Sequence, residues 1–166
     1  AGGYTQGKLE PAVMSVHLGA GLAQSLGQLI NIGAGGLPVV VITFVGDTGS
    51  FGDKVGLDLD HNFGPTSISA PFAKATWAVI EPAGLPQAID RAIRVAKAPP
   101  TGPVHLAVYD RVLSDELVNT GIIENPSIAD RAGYPSEADA EEIVRALAQA
   151  DRPVLYVGDG VWKSGA

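Results

Sequence analysis

LPVVVITFV, residues 37–45, is an apolar run with a single threonine as its polar member. A half-exposed strand alternates apolar and polar residues, whereas a strand buried on both faces does not. The run therefore predicts an inner strand of a parallel sheet with helices on both sides. Immediately before it, PAVMSVH (Pro11 to His17) reads as another short strand, and LGAG as a turn. Leu22, Leu26, Leu29 and Ile30 then recur at three- and four-residue spacing, which predicts a helix that Gly33, Gly35 and Gly36 end before Pro38. Strand, helix, strand is the resulting order. Downstream, residues 75–80 predict a third strand and residues 82–97 a helix with Ile89, Ile93 and Val95-Ala96 on its inner face. APPTG closes that helix, and residues 104–108 predict a fourth strand. The alternation implies an α/β fold with a doubly wound, mainly parallel sheet and right-handed crossovers over residues 1–110.

Between the second and third strands, residues 46–71 are rich in Gly, Asp, Ser and Pro and read as a long loop or broken helix. Residues 111–135 lose periodicity and read as a linker. A helix is expected from Ser136, with glutamates at its start where the macrodipole favours them. The stretch ADAEEIVRALAQADRPVLYVGDG, residues 138–160, then reads as an αβ unit opening a second α/β domain over residues 136–166.

Composition narrows the function classes. Eleven basic against 18 acidic residues give a formal charge of −7 over 166 residues, which repels a phosphate backbone and argues against a nucleic-acid partner. The lack of cysteine removes disulfides, thiolate nucleophiles and cysteine-ligated zinc together, and suits a reducing, cytoplasmic setting. The longest apolar run is too short to cross a bilayer, and no signal-peptide order opens the chain, so a soluble protein without membrane partners is expected. An initial Ala and an abrupt KSGA at the end suggest that both termini are cuts.

Three motifs invite chemistry. Asp47-Thr48-Gly49-Ser50 has the form of an aspartic-protease loop, but such a site needs two aspartates sharing a proton, and a βαβ order opposes the all-β fold that would supply them. VHLGAGLAQSLG resembles a dinucleotide fingerprint in Gly19 and Gly21, with Asp47 as a possible ribose ligand. Gln24, however, stands where a third small residue belongs. A nicotinamide-dependent oxidoreductase domain thus stays an alternative. His17 ends the first strand, at the carboxyl edge where open parallel sheets hold ligands; a histidine satisfied by backbone is the plainer reading. His105, inside the fourth strand, reads as a core residue, and His61 lies in the polar loop.

Taken together, AGGYTQ, PAVMSVH, GAGLAQSLGQL, LPVVVIT, FAKATWAVIEPAGLPQAIDRAIRVAKAPPTGPVHLAV and DRPVLYVGDGVWKSGA resemble the thiamine-diphosphate-dependent enzymes of the acetolactate synthase, benzoylformate decarboxylase and pyruvate oxidase group. The resemblance implies most of a pyrimidine-binding domain, beginning just after the glutamate that activates the cofactor, followed by the start of a central domain. It implies thiamine diphosphate as cofactor, with magnesium held by a diphosphate-binding domain outside these residues. It also implies a small-molecule 2-keto acid as substrate and a homodimer or homotetramer with sites between subunits. The parent would be a decarboxylase or acetolactate-synthase-like carboligase, and the isolated 166 residues would be inactive.

On the same resemblance, His17 falls where benzoylformate decarboxylase-like members have an active-site histidine, and Gly21 and Gln24 fall beside the pyrimidine, Gln24 in place of the usual asparagine. Phe44-Val45 replace a usual Gly-Gln. A non-catalytic paralogue of the same fold is therefore a further alternative. Asp47 becomes a residue of the family's variable loop over the substrate pocket, and no metal ligand is expected among these residues.

Overall fold

The computed structural model describes residues 1–8, 10–17, 19–46, 64–114, 117–124 and 135–164. Asp47 and His61 lie outside that set. The chain divides into two compact units, Ala1–Ala129 and Asp130–Ala166.

The first unit opens with a short helix, α1 (Gly2–Lys8), followed by β1 (Ala12–His17), α2 (Ala20–Ala34) and β2 (Val39–Val45). Later come β3 (Ala75–Val79), α3 (Leu85–Lys97) and β4 (Val104–Tyr109). The four strands form one sheet in the order β1-β2-β4-β3, and every pairing is parallel. Because β1 steps to β2 in one direction and β3 steps to β4 in the other, the strand order reverses between β2 and β4.

β2 is buried on both faces, as its unbroken run of Val and Ile requires. Val39, Val41 and Val45 pack with Leu22, Leu29 and Ile32 of α2, while Val40 packs on the opposite face with Ala92 and Ala96 of α3 and with Val104 and Leu106 of β4. Each of these Val, Leu and Ile side chains removed from water stabilises the fold by about 1.5–3 kcal/mol.

Two helix readings need correction. The second helix proper starts at Leu85, and Pro82–Gly84 form a separate 3-10 turn. Pro86 has no N–H for the carbonyl four residues earlier, so an α-helix cannot begin at Pro82. Its deepest residues are Ala92 and Ala96, both fully buried, with Ile89, Ile93 and Val95 packed around them. Small side chains let the helix axis approach the sheet. In α2, Ile30 is 45% exposed and Ile32 only 4%. Both flank the Leu22–Leu29 stripe, but Ile32 faces α1: a Cβ on Gly2 would lie 3.2 Å from its Cγ1.

In the second unit, α4 (Glu137–Gln149) starts at a complete capping box. Asp139 N–H donates to Ser136 Oγ at 3.2 Å, and Ser136 N–H donates to the Asp139 carboxylate at 3.2 Å. The strand expected after it forms no ladder. Val154, Leu155 and Tyr156 are 87%, 69% and 99% exposed, and a strand exists only where a neighbour receives its backbone N–H and C=O groups. A short helix, α5 (Gly160–Ser164), follows.

Candidate functional site

The carboxyl ends of β1, β2 and β4 form one edge of the sheet, and all three sequence-predicted site residues lie at its β1 end. His17 is the last residue of β1, in register with Phe44 of β2, and is exposed. Among the described residues β1 pairs only with β2, and α2 covers one of its faces. Met14 and Val16 pack under that helix, while Val13, Ser15 and His17 lie open on the other face.

The turn from β1 into α2 depends on two glycines. Gly19 is the N-cap of α2 at φ 79 and ψ −107, a backbone state in which a Cβ is strained, and no side chain caps this end of the helix. Gly21 makes a close approach: a Cβ there would lie 3.3 Å from the His17 Cβ and 3.5 Å from the Val16 Cβ. The first turn of α2 can therefore rest on the end of β1 and keep its free N–H groups beside His17. Gln24, one turn along, is exposed. Its amide offers both a donor and an acceptor to a bound molecule. Ser25 instead turns inward on its own helix, donating to the Gly21 carbonyl at 2.7 Å.

One strand away lies a feature that motif reading missed. Open α/β sheets hold ligands where the strand order reverses, which here is between β2 and β4. The strand ends meet there, Val45 in register with Tyr109, and a Cβ on Gly46 would lie 3.9 Å from the Asp110 carboxylate. Asp110 and Tyr109 follow an apolar strand with no motif around them, so only strand order could have singled them out. Phe44 and Val45 turn into the core. Phe44 packs with Val79, Val108 and Val112, and Val45 joins the α2 cluster. Among the described residues, Arg111 pairs with Glu81 at 3.4 Å, and both are exposed. Among the described residues, no three His, Cys, Asp or Glu side chains come together as a metal site, and no helix is long and apolar enough to cross a membrane.

His105, expected in the core, is fully buried. Burial lowers its pKa from 6.5 to about 4, which keeps the imidazole neutral.

No family model matches the sequence. Individual proteins do, among them two that match nearly all of it. The acetolactate synthase large subunit of Corynebacterium glutamicum is 30% identical over 171 residues, covering 100% of this chain and 26% of the relative. The oxalyl-CoA decarboxylase of Escherichia coli is 30% identical over 167 residues, covering 95% of the chain and 28% of the relative. In sequence the chain resembles a part of these thiamine-diphosphate-dependent enzymes. Solved structures of this family share the fold. Benzoylformate decarboxylase from Polynucleobacter necessarius superposes with a TM-score of 0.80 at 19% identity, over 99% of this chain and 30% of that one. A thiamine diphosphate-dependent 4-hydroxybenzoylformate decarboxylase of Rhodococcus jostii gives 0.71 at 22% identity, over 93% and 29%. The chain thus spans about a quarter of the length of the family members it matches in sequence.

Proposed function

We propose that these residues supply the pyrimidine side of a thiamine diphosphate site in a 2-keto acid decarboxylase or an acetolactate-synthase-like carboligase. The observation that carries the reading is the grouping of His17, Gly21 and Gln24 at one strand end and helix start, in a chain matched along its whole length by members of that family. Residues 1–110 are the pyrimidine-binding domain, 111–135 a linker and 136–166 the start of a central domain. The division of the chain at residue 129 supports a boundary in that linker. Magnesium and the diphosphate are held by a domain elsewhere in the protein, the working form is a homo-oligomer, and the setting is cytoplasmic.

The residues suit the cofactor's pyrimidine. Gly21 keeps the helix start tight against β1, and Gln24 presents an amide to a heteroaromatic edge. Thiamine diphosphate, when bound, supplies a nucleophilic carbon and an electron sink for the bond cleaved next to a carbonyl. The task left to this chain is proton traffic and orientation. His17, on the open face of β1, donates a proton to or takes one from the substrate carbonyl oxygen as charge moves through it.

A second reading rests on Phe44 and Val45. With both packed into the core, the strand end next to His17 offers no polar side chain of its own. That suits a paralogue that keeps the fold and has lost catalysis.

Calorimetric titration of the full-length protein with thiamine diphosphate and magnesium separates the two readings. Binding and turnover of a 2-keto acid are expected, with His17→Ala lowering kcat by about 10²–10⁴-fold while cofactor binding persists. Binding without turnover of any 2-keto acid favours the paralogue, and no binding overturns the cofactor assignment. A kcat change under about threefold would return His17 to a structural role.

A further inference from the structure

The deepest polar side chains of the first unit form a single hydrogen-bonded chain. His105 on β4, Thr43 on β2 and Ser69 in the turns after residue 64 are all completely buried. Imidazole Nε2 lies 2.8 Å from Thr43 Oγ1, and Nδ1 lies 2.6 Å from Ser69 Oγ. Ser69 in turn donates its hydroxyl proton to the Thr66 carbonyl at 3.0 Å. Because that proton is committed, Ser69 Oγ must accept from Nδ1–H, and Nε2 must accept from the Thr43 hydroxyl. A neutral imidazole satisfies every partner. A second proton, on Nε2, would face the Thr43 hydroxyl and leave a buried charge.

Thr43 lies in β2, and Ser69 lies in the turns of residues 64–73 that lead into β3. The backbone bonds within residues 64–73 are local: Ser67 to Gly64, Ser69 and Ala70 to Thr66, Phe72 and Ala73 to Ser69. Tethers to the sheet are the Ser69–His105 bond, the packing of Ile68 and Phe72 on the α2 side of the sheet, and, at the segment's end, Lys74 N–H donating to the Pro103 carbonyl at 2.7 Å. We propose that neutral His105 is a positioning residue that, through Ser69 and Thr43, staples residues 64–73 to the α2 face of the sheet, and that its protonation releases the segment while the sheet stays intact.

The surroundings leave titration of His105 as the trigger. Its strand neighbours are Val41 and Thr76, the turn contributes Ser69 and Thr66, and the α2 face contributes Leu22, Leu29, Val45, Ala107, Ile68 and Phe72. None of these is charged, and burial alone lowers the imidazole pKa. The closed segment therefore holds fully above the solvent value of 6.5 and weakens as the pH falls towards about 4, below which both states are protonated. The inference concerns this chain's own packing and does not depend on the thiamine diphosphate reading.

Amide hydrogen exchange on the intact protein, corrected for the intrinsic pH dependence, tests it. The opening equilibrium at Ala70, Phe72 and Ala73 is expected to rise about twentyfold from pH 7 to pH 5, with β2 and β4 amides unchanged. His105→Gln should abolish that pH dependence. Thr43→Val should raise opening of the same segment at pH 7, and Thr43→Ser should restore it. If His105→Gln does not fold, the Thr43 pair decides. Exchange rising together in segment and sheet, a segment unmoved by pH, or pH dependence persisting in His105→Gln overturns the proposal.

Discussion

β1 and β4 each carry a histidine, and the two side chains lead opposite lives. β4 lies between two strands, and residues 104–108 are all buried. Among the described residues β1 has one strand neighbour, and it alternates along its length, with Val13, Ser15 and His17 exposed. An imidazole enclosed on β4 loses its water, becomes hard to protonate and must be satisfied inside the protein, as Thr43 and Ser69 do for His105. An imidazole at the open end of β1 keeps a free surface. Residue type is the same in both; the number of strand neighbours decides whether it supports the fold or is available for chemistry.

Substitutions can break this contrast. The largest effect is expected on β4, where Leu106→Ala should destabilise the protein by about 2–5 kcal/mol in urea unfolding, because the void lies among packed neighbours on both sides. A loss below about 1 kcal/mol would mean that β4 is not the closed centre described above. Gly21→Val comes next. Its branched side chain meets His17 and Val16, so an overpacking cost of about 1–3 kcal/mol is expected. Cofactor affinity in the full-length protein should fall by more than the loss of stability explains. Unchanged affinity with lowered stability would make Gly21 a packing residue alone. Smallest is Val13→Thr on the open face of β1, expected within about 0.5 kcal/mol of the parent. A larger loss would show that this face is covered in the working protein.

Much of the architecture was readable from side-chain order. The unbroken Val/Ile run of β2 announced burial on both faces, and the alternation of strand and helix announced a parallel sheet. Ser136 and the glutamates after it announced the start of α4, and the structure adds Asp139 as the other half of a capping box. The site was readable in part. His17, Gly21 and Gln24 sit in a single short motif, and their grouping follows from the chain's own direction. Tyr109 and Asp110 were invisible, because what makes them notable is strand order and not their neighbours in sequence.

In the first unit local patterns by themselves determined the strands, the main helices, their alternation and the glycine turn at the end of β1, since periodicity, caps and turns act over a few residues. Tertiary structure alone decided three further matters. Ile32 is buried and Ile30 exposed because Ile32 meets Leu37, Val39 and the start of the chain at Gly2. β1 is an edge strand and β4 a central one because of the order in which strands pair. His105 became a neutral, doubly hydrogen-bonded group because Thr43 and Ser69, distant in sequence, converge on it. In each case the deciding quantity is what lies across from a residue in space, and local spacing carries no record of it.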